Sequence, residues 1–222
     1  SGPKDRAVLF RLLHKDTATT VFEELDPALQ SELIHDLHAD RVTQLFADLD
    51  PDDRVELIDE LPAHVATRLI KDLNPDEQAL TAAVLDYPAG SVGRRMTPEF
   101  ISTREDLTAG ETLERIHARI DDVETIYTIP VTDAERRLLG IVGLRSVMRA
   151  PADTPISELM NDAVTARARE SAEVAARRAA DGRVIVLPIV DEEYRLVGIL
   201  TFDDALRILE DADTEDSARQ GG

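Results

Sequence analysis

Leu187 to Leu209 reads LPIVDEEYRLVGILTFDDALRIL, and this stretch decides the fold of the chain. Leu187, Ile189 and Val190 have the composition of a buried strand, Asp191 to Arg195 reads as a turn, and Leu196 to Leu200 is a second apolar run closing on Thr201. A helix pattern starts at Asp203 and Asp204. An earlier copy, IPVTDAERRLLGIVGLRSVMR, runs from Ile129 to Arg149. Its Pro130, Asp133 and Gly140 stand 58 residues before Pro188, Asp191 and Gly198, so the two segments repeat without a gap. The second half of the chain is therefore a tandem module.

Working back toward the N-terminus, a different period takes over. Leu13, Leu25, Leu37, Leu49, Leu61 and Leu73 recur every 12 residues. Asp26-Pro27, Asp50-Pro51 and Asn74-Pro75 follow three of them, each a capping side chain and then proline at the first helical position, where a missing N–H costs nothing. His38-Ala39 and Pro62-Ala63 fill the alternate places. Apolar pairs such as Leu33/Ile34, Leu45/Phe46, Leu57/Ile58 and Leu69/Ile70 give each unit one short amphipathic helix. Such helices are too short to be stable alone and must stack, which predicts a right- or left-handed superhelix over residues 4–87. Residues 88–95, opening on Pro88-Ala89-Gly90-Ser91, read as a linker. Further helices are predicted from Leu107 to Ile120 and from Glu170 to Ala180, the latter ended by Asp181-Gly182.

With 222 residues, 43% of them apolar, the chain has room for two domains with real cores. No apolar run is long enough to cross a bilayer, and no leader pattern is present. Zero cysteines excludes disulfides and thiolate metal sites. Asp plus Glu is 45 against 25 Lys plus Arg, a net charge of −20, which repels nucleic acid and favours a cationic partner. An acidic proteome would produce the same total, so the placement of the acids matters more than their number. His14, His35, His38, His64 and His117 are scattered, and His35 and His38 share a helical face without a third convergent ligand. There is no glycine-rich phosphate loop, nucleophile elbow or cysteine nucleophile, so an enzyme is not expected.

The apolar-Pro-apolar-apolar-Asp strands and the Gly-apolar-apolar-Thr-x-x-Asp junction resemble a CBS pair, two βαββα repeats, over about Met96 to Leu209. The resemblance implies repeats at about 96–150 and 156–209, with clefts that hold adenosine nucleotides. The phrase from Ser91 to Phe100, with Met96-Thr97-Pro98-Glu99 inside it, is similar to the cytosolic part of MgtE-type magnesium transporters, as is the layout of helical array, linker and CBS pair. The implied fold class is an α domain followed by an α/β one. Residues 210–222 would start the helix connecting to a membrane pore domain of the same parent chain. The resemblance also implies a homodimer through the CBS domains, at the cytoplasmic face of the membrane. Mg2+ bridging acidic surfaces of the two domains would close the channel.

Carried over by position, the family's metal-binding acids fall on Asp52 and Glu56 in the helical array and on Glu173 and Asp204 in the CBS pair. Ala180 takes a position that offers a backbone carbonyl. Glu215 and Asp216 match an acidic pair on the connecting helix, and Asp211 and Asp213 flank Ala212, where the family has an acid. Thr20, Arg183 and Arg207 stand where the family has further acids, and a guanidinium there would instead pair directly with a carboxylate. For a nucleotide, Thr201 and Asp204 form the ribose-binding junction, while the first repeat has Gly143 and Ser146. The family's Arg-Asp pair for ATP reads Arg145-Ser146, and its aromatic falls on Thr128, beside Tyr127, so ATP binding is expected to be weak. Two alternatives stay open on the residues: an adenine-nucleotide sensor, and a protein-binding scaffold whose acidity reflects a salty cytoplasm.

Overall fold

The computed structural model describes residues 17, 20–22, 24–36 and 39–220. The chain divides into two compact units, the first ending at Asp86 and the second starting at Tyr87.

The described part of the first unit has helices α1 (Pro27–Asp36), α2 (Ala39–Asp48), α3 (Pro51–Glu60), α4 (Ala63–Asp72) and α5 (Pro75–Leu85). Their first residues are spaced 12 apart, so the leucine period read in the sequence is the period of the helices themselves. Leu61 and Leu73 cap α3 and α4 in extended conformation. Each therefore leaves its helix and drops into the core, where Leu49, Leu61 and Leu73 are all buried. Asp26 accepts a bond from the Leu29 amide at 2.9 Å and Asn74 one from the Glu77 amide at 3.0 Å, the capping role their position predicts. Asp50 makes no such bond to α3. The helices pack mainly next-but-one, α1 on α3, α3 on α5 and α2 on α4, with α4 also meeting α5, so each is held by its neighbours in a stacked array.

Arg54 ties that array together and has no periodic signal in the sequence. Buried on α3, it donates to the carbonyls of Phe46 (3.1 Å) and Ala47 (2.8 Å) at the end of α2. It also bonds the Thr81 hydroxyl at 3.3 Å and pairs with Glu77, both on α5. Its charge is thus neutralised, and its donors tie α3 to both α2 and α5.

The second unit holds two three-stranded sheets of the same design. In the first, β1 (Thr103–Arg104) is parallel to β2 (Thr128–Thr132), which is antiparallel to β3 (Leu138–Gly143). In the second, β4 (Ala166–Arg167), β5 (Val186–Val190) and β6 (Leu196–Thr201) repeat the arrangement. Helices α6 (Ala109–Arg119) and α7 (Leu144–Arg149) belong to the first repeat, and α8 (Ala172–Gly182) and α9 (Phe202–Gln220) to the second. Pro130 faces Ile141 and Pro188 faces Ile199, so the 58-residue offset holds pair by pair. Asp133 and Asp191 recur because each carboxylate accepts the amide four residues on, Arg137 at 2.7 Å and Arg195 at 2.8 Å. Arg136 and Tyr194 hold the left-handed corner of these turns, with φ of 67° and 66°.

The two repeats interlock. Thr97 exchanges backbone bonds with Ile199 of the second sheet, and Asn161 does so with Ile141 of the first. Gly198 and Gly140 permit this approach: a Cβ on Gly198 would lie 2.5 Å from the Met96 sulfur, and one on Gly140 would run into the Asn161 carbonyl. One local expectation shifts. The residue that ends α8 in left-handed conformation is Arg183, at φ 50°, and Gly182 remains inside the helix. Among the described residues, no helix is long and apolar enough to cross a membrane.

Candidate metal and nucleotide site

The β6–α9 junction has no loop. Strand β6 ends at Thr201 and α9 starts at Phe202, which places Asp203 and Asp204 in the first helical turn, where backbone N–H groups favour negative charge. Asp204 is only 7% exposed. The Thr201 hydroxyl donates to one of its carboxylate oxygens at 2.5 Å, and Arg207, one turn on, pairs with the other. At the corresponding place in the first repeat Gly143 leads into α7 and Ser146 replaces the aspartate, so the geometry exists once.

A third acid comes from the other repeat. One carboxylate oxygen each from Glu124, Asp203 and Asp204 lie within 4.8 Å of one another. Three carboxylates with no nitrogen or sulfur donor suit a hard, oxygen-preferring cation such as Mg2+, which keeps several of its waters and needs few protein ligands. Glu124 and Asp203 are exposed, so water has access. Arg207 is the built-in counter-charge that such a cation would meet at Asp204.

The other residues singled out in the sequence are dispersed. In the first unit, Asp52 is 7% exposed in the first turn of α3 and Glu56 is half-buried one turn later. In the second, Glu173 on α8 is held by Arg177 at 2.8 Å, and Asp211 on α9 pairs with Arg95 at 3.3 Å. The Ala180 carbonyl accepts the Arg183 amide at 3.1 Å, so it serves the end of α8. Glu215 and Asp216 fall on α9, with side chains outside the described residues. Arg145 is exposed on α7. Helices α8 and α9 pack closely, and Asp213 contributes to raising the Arg177 pKa, after Glu173, whose hydrogen bond is the larger cause. Thus Glu173, Asp204 and Asp211 are each matched with an arginine. Sequence reasoning missed Glu124, which sits in an aperiodic segment before β2 and meets Asp204 only through the packing of the repeats.

The profile of the CBS domain family matches residues 89–153 and 156–211, more than half of the chain. That of the MgtE intracellular N domain matches residues 2–90. The chain belongs to the CBS family, with an MgtE N domain ahead of its CBS pair. A stretch of 145 residues is 41% identical to the magnesium transporter MgtE of Thermus thermophilus, covering 65% of this chain and 32% of that protein. The magnesium transporter MgtE of Enterococcus faecalis is 29% identical over 140 residues, 63% of this chain and 31% of that protein. The chain thus spans about a third of the length of these curated relatives. Among solved structures, the cytosolic domain of the Mg2+ channel MgtE in complex with ATP is 35% identical with a TM-score of 0.86, covering 94% of this chain and 86% of that one. The soluble part of a magnesium transporter shares the fold, at 21% identity and a TM-score of 0.78 over 96% of this chain and 89% of that one. In these terms the candidate acids lie in the second CBS domain, with Glu124 supplied by the first.

Proposed function

We propose that this chain is the magnesium-sensing, gating region of an MgtE-like magnesium transporter. It works at the cytoplasmic face of the membrane, dimerises through its CBS domains and carries no catalytic activity. The observation that carries the reading is the convergence of Glu124, Asp203 and Asp204 in a chain of net charge −20. Mg2+ binding there, and at the acids of the N domain around Asp52 and Glu56, offsets a repulsion that otherwise favours an open arrangement. The closed form gains by the difference in ion affinity between the two states, and several weak sites suffice. A membrane pore domain of the same parent chain receives the signal through α9. Titrating MgCl2 against NaCl at matched ionic strength, with radius of gyration and protease protection as readouts, tests this. Compaction specific to Mg2+ in the millimolar range, lost in an Asp52→Asn/Asp204→Asn variant, supports it. Equal responses to both salts reject it.

A second reading, an adenine-nucleotide sensor, is favoured by the buried Thr201–Asp204 junction and by the ATP carried by the 35% identical channel domain. Calorimetry with ATP and AMP decides it. An Asp204→Ala variant that loses heat of binding supports the nucleotide, and a wild-type chain with no heat excludes it.

A further inference from the structure

The two CBS repeats differ in how they treat one arginine. Elements β1 and α6 correspond to β4 and α8 at a constant offset of 63 residues. In the second repeat Arg178 donates to the Thr165 carbonyl at 2.8 Å and is paired with the Glu170 carboxylate. Its counterpart in the first repeat is Arg115, the counterpart of Thr165 is Ser102, and in place of Glu170 stands Leu107. Where the second repeat has Gly182, the first adds another cation, Arg119. Among the described residues no carboxylate bonds Arg115 or Arg119. Glu111, one turn before Arg115, is turned away to the Thr108 amide and hydroxyl at 2.8 and 3.0 Å in a capping box.

Arg115 and Arg119, both exposed and one turn apart on α6, line a cavity of about 290 Å³ that is open to solvent, together with Ile101, Ser102 and Ala118. Strand β1, with the residues just before it, and helix α6 carry its lining and are tied together at one point. Ile101 is buried, and the Thr103 hydroxyl of β1 bonds the Thr112 hydroxyl of α6 at 2.7 Å. Two like charges at this spacing repel, and an oxyanion between them removes that cost. Guanidinium groups match phosphate oxygens in fork geometry, and the Ser102 hydroxyl is a third donor.

We propose that this cavity binds the phosphate group of a small molecule, the external anion taking the place that Glu170 fills in the second repeat. The site shares no residue with the Asp204 junction and does not depend on magnesium sensing. Calorimetry on the whole chain, with inorganic phosphate and with AMP in chloride buffer at matched ionic strength, tests it. Saturable binding that falls about tenfold or more in Arg115→Gln/Arg119→Gln is expected, since a charge-assisted bond of this kind contributes that much. Leu107→Glu, which restores the second repeat's internal carboxylate, should weaken binding as well. Asp204→Ala should leave the binding of inorganic phosphate intact. Tighter binding of AMP than of phosphate identifies a phosphate ester as the ligand, and equal binding identifies free phosphate. No saturable binding to the wild type overturns the proposal, as does a double arginine variant that binds like wild type. AMP binding lost in Asp204→Ala and kept in the double variant also overturns it.

Discussion

Asp204 and Arg207 form an ion pair across one turn of α9, and the same Asp204 carboxylate is the one that Glu124 and Asp203 approach with two more. Arg207 therefore competes with any cation for Asp204. Replacing it by Gln removes the competitor, and Mg2+ affinity at this cluster is predicted to rise about threefold to tenfold, the range of one part-exposed ion pair. Mg2+ titration followed by amide chemical shifts of Asp203 and Asp204 measures it. Unchanged affinity places the ion elsewhere.

Thr201→Val keeps the shape of the junction but leaves one Asp204 oxygen without its hydroxyl donor. A loss of about 1–2 kcal/mol in stability follows by urea unfolding at pH 7.

Arg54 predicts a larger effect. In Arg54→Met the carbonyls of Phe46 and Ala47 and the Glu77 carboxylate lose their buried partner. A cost of about 3–5 kcal/mol is expected, confined to the first unit, since Arg54 bonds only residues of that unit. Hydrogen exchange resolved by segment should show α2, α3 and α5 opening while the sheets stay protected.

Gly140→Ala drives a methyl into the backbone oxygen of Asn161, which has no free rotor to turn away. Gly198→Ala meets chiefly the flexible end of Met96, with the Thr97 carbonyl at 3.0 Å behind it. Both should destabilise, by about 1–3 kcal/mol, with Gly140→Ala the worse. Melting of the two variants side by side checks the order.

Glu170 gives a pH signature. Its carboxyl is held below the ordinary carboxylate value first by the hydrogen bond from Arg178, against an opposing push from burial. A carboxyl depressed in the folded state stabilises above its unfolded pKa of about 4.3, and the gain disappears as pH falls through the lower folded value. With Arg178 still 38% exposed, solvent screening limits the pair to about 1 kcal/mol. Glu170→Gln should therefore be less stable than wild type at pH 7, with the difference shrinking as the pH falls below the ordinary carboxylate value, as read by denaturant midpoints.

Much of the architecture follows from local rules that act within a few residues. The 12-residue leucine period determines helix length and start, because a capping residue, a proline and an apolar pair each act within one turn. The 58-residue repeat determines strand register, because Pro130/Pro188 and Gly140/Gly198 tolerate only one place in the ladder. Asp204 could be named from its junction motif for the same reason.

Three features required the folded chain: Glu124 beside Asp204, Arg54 across three helices, and the unmatched Arg115 and Arg119 against Ile101 and Ser102. Each joins residues far apart in sequence, and a side chain acting through space leaves no periodic mark in its own segment. The sequence by itself thus determined the elements and their pairing. Only the tertiary structure decided which charges meet, because an ion pair depends on the distance between charges, and sequence separation does not fix that distance.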